Sequence, residues 1–585
     1  VKDSRVCVIR YLAGSPLDSY ERIKLASGWP TWLAEWLPHC GDLQVMRYLL
    51  TLLVSLRGIY LPAELKLATI TDRWSGTDPI TDRELDYILT ELRVVPREIA
   101  WKRFHPSTHS APGGGPASAM AVAEASILPQ NIQNAIKILG GEDLAEALLH
   151  CQQPLLQQCW SRLFRLRRPL VRRLSYFPDK EGKTRVVAIL DHWSQNALRP
   201  LHRVLMGFLR NIPQDCTFNQ GAFTSRPHCG PYYSIDLSSA TDRMPIALQR
   251  RVIGRIIGDD RATAWSDLLV GSEYAVTDAK GKTSFVSYNT GQPMGAYSSW
   301  PAMALTHHVI VRYAALLVGK SRFSNYFLLG DDLVISDRQV AESYRRVLCT
   351  LDMPVSEPKT IVSERLFEFA KRWFLDGSEI TPYATAGLSS VAKRYSMLCN
   401  FLNTQASHGW HLQDSKIGGL VHAVHKSLWP LRYIKERTER SIRMLELYMV
   451  LTSGKRAGDY RDFVRYVSGH TSSVIQADTL YREVRRRIHV DDAIRLAHDL
   501  HAFGAQCASA LHGLAPSAIT FCLGNRVPLF ESFSHLVDEA AQFARSWGAS
   551  AYPGLVEEME DSTYVSLGTS RFHLPELFNL KSEVS

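Results

Sequence analysis

The chain has 585 residues, 45% of them hydrophobic and 21% charged. Those values suit three or four compact lobes and exclude both a single small domain and a disordered polyelectrolyte. The formal net charge of +9 agrees with a polyanionic partner without requiring one, and ten cysteines without a CxxC pair favour a reducing compartment over a zinc ribbon or a disulfide framework.

Residues 1–11 lack both the apolar core of a signal peptide and the Arg/Ser-rich character of a transit peptide. The apolar run 43–61 is interrupted by Arg47 and Arg57. It falls short of the ~20 residues a bilayer span needs, so a buried helix is expected and no transmembrane segment. Helical spacing, as at Leu43, Met46, Leu49 and Leu50, continues to about Arg103. The cluster HSAPGGGP at 109–116 then reads as a flexible loop or lobe boundary. A helical pattern returns over 121–170 and ends in a basic stretch from Arg162 to Arg173. Between 175 and 320, β-rich runs alternate with helical ones. From about Gly387 onward the reading is helical, with basic faces at 432–443 and 481–487. The middle is α+β and both ends are mostly α.

Two segments carry carboxylates in a pattern that suggests chemistry. In YYSIDLSSATD, 232–242, Asp236 should stand at a strand end. The serines and threonine after it break the strand and offer a helix cap, with Asp242 about one turn further on. On that segment alone, an ordinary loop aspartate is an equally good reading. In YFLLGDDLVIS, 326–336, two apolar runs flank Gly330-Asp331-Asp332, which is hairpin chemistry. Adjacent carboxylates repel and raise each other's pKa, so an apolar ribbon tolerates them best with a cation opposite. Mg²⁺ suits, because it takes few carboxylates and shares its other positions with water and phosphate. The same tripeptide at 258–260 lacks flanking strands and is expected to be a loop between helices. If Asp236 meets Asp331 and Asp332, the three form the clamp of two-metal phosphoryl transfer, with ions ~3.5–4 Å apart.

Cations and loops surround these carboxylates in sequence. Lys183 and Arg185, preceded by Lys180, lie in SYFPDKEGKTRVVAI, 175–189. On a strand Lys183 and Arg185 share a face and suit a triphosphate. An edge strand protected by charge is the competing reading. Gly291 and Gly295, with Gln292 between them, make a loop whose backbone can approach a ligand. Ser298 and Ser299 are hydroxyls available to a ribose. The apolar helix that follows carries His307 and His308, expected to pack or hydrogen-bond rather than bind metal. Lys359 is a candidate proton donor to pyrophosphate, against the simpler reading of a surface lysine. Lys371 and Arg372 stand among aromatics in 368–374, where they suit a primer end or stacked bases, or else flank a core-facing aromatic pair.

In order, these segments resemble the motif series of viral RNA-dependent RNA polymerases, and most closely those of the mitoviruses, within the group that includes narnaviruses and leviviruses. The matching text is PDKEGKTRVVAILDHWSQNALRPLH (178–202), DCTFNQ (215–220), DLSSATDRMP (236–245), GQPMGAYSSW (291–300), LGDDLVISD (329–337) and EFAKRW (368–373). The resemblance implies a right hand of fingers, palm and thumb with a ferredoxin-like palm sheet. Its lobes would be an N-terminal helical extension at 1–110, fingers at 111–230 and 251–284, palm at 231–250 and 285–385, and a helical thumb and C-terminal region at 386–585. It implies two Mg²⁺ ions, replaceable by Mn²⁺, on Asp236 and Asp331 with Asp332 beside them. Lys180, Lys183 and Arg185 would meet the triphosphate and Asp242 the ribose, while Lys359 would be the general acid. Gly291, Gln292, Gly295, Lys371 and Arg372 would contact RNA. The partners implied are template and product RNA and NTPs, with no obligate protein partner and mitochondrial residence. One departure stands out: where such polymerases carry an asparagine after the glycine-rich loop, this chain has Met303. A reverse transcriptase would put a bulky aromatic at Asp242, which disfavours that rival. The other rival is a catalytically inert RNA-binding protein.

Overall fold

The computed structural model describes most of residues 39–385 and a few positions between 387 and 410; the longest interior gaps are 56–60, 158–169 and 226–229. Lys180, the arginines at 162–168, residues 1–38 and most of the expected thumb, with both C-terminal basic faces, lie outside the described residues. The chain divides after Pro382. Among the described residues of the second unit, Tyr383 meets Phe401 and Trp410 edge-on, at 5.7 and 5.5 Å.

Among the described residues, the first unit begins with helix α1 (Leu43–Ser55), the single turn α2 (Ala68–Thr71) and α3 (Asp82–Glu91). The apolar face Met46, Leu49, Leu50 and Leu53 of α1 is buried, as its periodicity predicts. A capping box between Thr81 and Glu84 starts α3, satisfying two backbone N–H groups that the first turn leaves over. Helices α4 (Ala117–Ala125), α5 (Gln130–Gly140) and α6 (Glu142–Cys151) follow. Gly141, at φ +92°, separates the last two.

Strands β1 (Arg172–Asp179) and β2 (Lys183–Leu190) pair antiparallel along their whole length, from Arg172 opposite Leu190 to Asp179 opposite Lys183. Helix α7 (His192–Asn211) begins at Asp191, whose carboxylate accepts the Ser194 N–H at 2.7 Å. With β4 (Tyr274–Thr277) and β5 (Thr283–Val286), these strands form a sheet of order β2-β1-β4-β5. Strand β3 (Tyr232–Asp236) leads into α8 (Ala240–Arg243), α9 (Ile246–Ile257) and α10 (Asp259–Val270). Ser239, ahead of α8, takes a left-handed φ of +53° and makes no side-chain cap. The capping expected there fails because a cap needs extended backbone to bring the hydroxyl over the first turn. Gly258 is the one-residue break between α9 and α10, and Asp259 and Asp260 open α10, so the second Gly-Asp-Asp is a helix junction.

Helix α11 (Ser299–Leu317) is apolar on every side, and fifteen of its nineteen residues are buried, as such a pattern demands. It packs against α7, α3 and α12 (Arg338–Thr350) and carries the hairpin β6 (Tyr326–Leu329) and β7 (Asp332–Ile335). Strand β8 (Ile361–Ser363) completes a sheet of order β6-β7-β3-β8, antiparallel throughout. Beyond it, β9 (Leu366–Phe369), β10 (Arg372–Leu375) and β11 (Ser378–Glu379) make a small meander. Phe223, Tyr232, Phe327, Phe367, Phe369 and Phe374 form one aromatic core between the meander and the larger sheet. No described helix is long and apolar enough to cross a membrane.

Candidate active site

The β6–β7 hairpin closes through a two-residue turn, with Leu329 opposite Asp332 and Gly330-Asp331 at its tip. Gly330 has φ +63°, the conformation the tight hairpin turns require at their first central position. On the other side of β7, Asp332 is the register partner of Asp236, the last residue of β3. Directly opposed residues on antiparallel strands project to the same face. Two carboxylates ninety-six positions apart in number thus share one corner of the sheet, with Asp331 next to them in the turn.

The turn is braced from below. A Cβ on Gly330 would lie 2.1 Å from the Trp300 ring, so only glycine fits against the indole. The Gly330 carbonyl is 2.7 Å from Nδ1 of His307. A carbonyl can only accept, so Nδ1 carries the proton and Nε2 accepts the Tyr344 hydroxyl at 2.6 Å. Burial lowers the pKa of His307 to about 4, which keeps the ring neutral. His308 is equally buried and lies between the Tyr326 hydroxyl, 2.9 Å away, and Asp215, 3.1 Å away. Both histidines serve the core.

Charge at the corner is unbalanced. Burial raises the Asp331 carboxyl, and Asp236 adds to the rise against the pull of Lys359 and Arg185. Asp332 is pushed up to about 7, first by burial and then by Glu368, Asp331 and Asp236, with Lys371 opposing. Lys359 donates to Asp236 from its ammonium. Among the described residues, no three His, Cys, Asp or Glu side chains stand ready-gathered to hold an ion. The donor set nevertheless suits a hard divalent cation: carboxylate oxygens on a shared corner, two of them raised first by burial and then by the charge of neighbouring carboxylates.

Beside the corner lies a cleft of about 650 Å³ lined by Arg185, Gln195, Thr241, Gly295, Trp300 and Asp331, among others. Lys183 and Arg185 alternate as exposed residues of β2, and Arg185 is 2.7 Å from Asp179. Ser299 lines the cleft. Ser298 does not face it: fully buried, its hydroxyl accepts the Trp265 indole N–H at 2.8 Å and donates to the Tyr297 carbonyl. Gln292 is also fully buried, and its amide donates to Gln249 at 2.6 Å and to the Ser299 carbonyl at 2.9 Å. The glycine-rich loop is pressed onto its neighbours. A Cβ at Gly291 would meet the Thr241 carbonyl at 2.2 Å, and one at Gly295, φ +113°, the Ala188 carbonyl at 2.5 Å. Asp242 stands on α8, its carboxyl raised by burial against the pull of Thr69 and Arg243. Lys371 sits with Ala370 at positive φ in the β9–β10 turn, near Asp332. Arg372 is committed to Glu379, at 2.9 and 2.6 Å, and lies over Phe223 and Phe374.

Four contributors escaped the sequence reading. Glu368 was legible as part of EFAKRW, but its approach to Asp332 depends on two sheets meeting. Trp300 and His307 were visible as residues, and their role under the hairpin was not. Thr69 gave no signal at all.

Comparison with known proteins shows what this chain is similar to. A polymerase of Cryphonectria parasitica mitovirus 1, described as an RNA-directed RNA polymerase, is 40% identical over 212 residues, covering 35% of this chain and 25% of the relative. The matched stretch thus spans a quarter of that relative's length. An uncharacterized mitochondrial protein of Arabidopsis thaliana is 36% identical over 211 residues, 33% of this chain and 84% of that protein. The solved RNA-dependent RNA polymerase of a human picorbirnavirus aligns over 78% of this chain and 92% of its own, at 12% identity and a TM-score of 0.38, a likeness too slight to carry an argument. The family described as Mitovirus RNA-dependent RNA polymerase matches residues 98–473, well over half of the sequence. The chain belongs to the mitovirus RNA-dependent RNA polymerase family.

Proposed function

We propose that this chain copies RNA, joining NTPs to the 3′-hydroxyl of a growing strand and releasing pyrophosphate. One observation carries the proposal: β3 and β7 pair so that Asp236 and Asp332 face each other beside Asp331, at the edge of a cleft holding Arg185. The four strands with their intervening helices run in the order of a ferredoxin-like palm, which supports the right-hand reading, with residues 172–190 on the fingers side.

Asp236, Asp331 and Asp332 would hold two Mg²⁺ ions, or Mn²⁺ in their place. Bound there, such ions would supply a lowered pKa at the attacking hydroxyl and neutralisation of charge on the leaving pyrophosphate. The protein's own side chains do the rest. Lys183 and Arg185 draw the triphosphate along the exposed face of β2. Asp242 and Ser299 orient the ribose. Lys359, already against Asp236, supplies a proton to the departing pyrophosphate. Template and product RNA are the partners, and the mitoviral and plant mitochondrial relatives support residence in mitochondria.

The test is incorporation of labelled NTPs on an RNA template. Asp236→Ala, Asp331→Ala and Asp332→Ala are each expected to lower it by roughly 10²–10³-fold or more. RNA binding, carried by the basic surface, should change by no more than about two-fold. Asp259→Ala, on the helix junction, should be near silent. Equal damage from Asp259→Ala and Asp331→Ala would refute the assignment of the hairpin, and tight RNA binding without incorporation would leave an inert binding protein.

A further inference from the structure

We propose that Thr69, in the segment ahead of the polymerase motifs, positions Asp242 and so sets discrimination between ribose and deoxyribose. The inference rests on the polymerase reading and on Asp242 as the ribose acceptor.

The Thr69 hydroxyl donates to Asp242 Oδ2 at 2.8 Å. A carboxylate fixed through one oxygen keeps the other as an acceptor for a sugar hydroxyl. Met303 of helix α11, which reaches this loop, cannot provide that fixing bond: its sulfur takes the Thr241 hydroxyl at 3.5 Å, and a thioether has no proton to give. Arg243, the adjacent cation, is directed elsewhere: to Asp352 at 2.8 Å, to Thr290 at 3.2 Å and to the Asp72 carbonyl at 3.1 Å. The donor therefore comes from α2.

That short segment is itself held in place. Ile70 is 1% exposed. Its carbonyl accepts the Asn289 N–H at 3.1 Å, the Thr71 carbonyl accepts the Asn289 side chain, and the Asp72 carbonyl accepts the Thr290 hydroxyl at 2.9 Å. Asn289 and Thr290 immediately precede Gly291, which presses on Thr241 and Asp242. One loop therefore ties Thr69 and Asp242 to the same frame. Thr69 also lies before residue 98, where the family match begins, so the device belongs to the N-terminal extension.

The measurement is the ratio of kcat/KM for an NTP to that for its 2′-deoxy counterpart on the full chain. Thr69→Ala and Thr69→Val should lower the ratio about ten-fold, the scale of one hydrogen bond to a charged group. The change should fall mainly on KM for the ribonucleotide, and Thr69→Ser should retain the wild-type ratio. If Thr69→Ala proves unstable, Val and Ser carry the same comparison, since they differ in the hydroxyl. A loss that strikes both nucleotides alike, with the ratio unchanged, overturns the role of Thr69 and leaves only a structural contact. Asp242→Ala separates the two layers. A ratio lost there but kept in the Thr69 variants sinks this inference alone, while a ratio kept in both sinks the ribose assignment beneath it.

Discussion

His307 shows how a buried residue outside the cleft braces the turn that carries two of the carboxylates. Its ring is fully buried between the Gly330 carbonyl and the Tyr344 hydroxyl, and its pKa falls from 6.5 to about 4. Above pH 6.5 the imidazole is neutral in folded and unfolded chains alike and contributes no slope. Between pH 6.5 and 4 the unfolded chain binds a proton that the folded one refuses, so stability falls as pH falls through that window. The shift corresponds to about 3 kcal/mol. His307→Gln keeps neutral hydrogen-bonding groups and removes the titration. Its stability relative to wild type should therefore improve by about that amount between pH 7 and 4, measured by urea unfolding across a pH series. A difference independent of pH would show that the ring takes up its proton as readily in the folded chain as in the unfolded one. Asp332 illustrates the converse: burial and three neighbouring carboxylates push it up to about 7.

At the scale of elements, the β6–β7 hairpin depends on a glycine for two separate reasons. Its φ of +63° strains any residue with a Cβ, and the Trp300 ring occupies the space that a Cβ would take. Gly330→Ala should cost about 1–3 kcal/mol and displace the turn. Incorporation should then fall by far more than the loss of folded protein explains, although all three carboxylates remain. Adding Trp300→Ala should recover part of the stability, because it removes the clash and leaves only the backbone strain. Thermal unfolding of the single and double variants separates the two contributions, and equal losses in both would show that the indole is irrelevant. The neighbouring β9–β10 turn follows another logic. Ala370 and Lys371 accept positive φ without glycine, and the turn holds Lys371 toward the raised Asp332 carboxyl.

Across the first unit, residues 69–86 act as a strap over the sheet and its helices. Trp74 donates to the Leu351 carbonyl at 2.7 Å, and Ser75 to Asp352 at 2.8 Å. Arg251 joins Asp78 and Asp82, and Arg255 joins Asp82 and Asp86. Arg251→Met keeps the aliphatic stem and deletes two of these links. It should cost about 1–2 kcal/mol and expose the strap to protease earlier than the sheet. Limited proteolysis should place the first new cut within residues 61–91, and a cut in β6–β7 instead would show that the strap does not open separately.

Much of the unit was legible in the sequence because local chemistry dictated it. The apolar runs around Gly330 require a hairpin, the polar break after Asp236 ends a strand, and uniform apolarity buries α11 with its histidines. The contrast between the two Gly-Asp-Asp tripeptides was equally readable, since only one is flanked by strands. Other features arise only when distant segments meet. The register that sets Asp236 opposite Asp332, the approach of Glu368, and the indole beneath Gly330 depend on how sheets and helices stack. Packing also decided which polar side chains are spent inside: Ser298 on Trp265, Gln292 on Gln249, Arg372 on Glu379. A single hydroxyl at Thr69 carries no periodicity or composition signal, and it matters here only because the fold carries it 173 positions along the chain to Asp242.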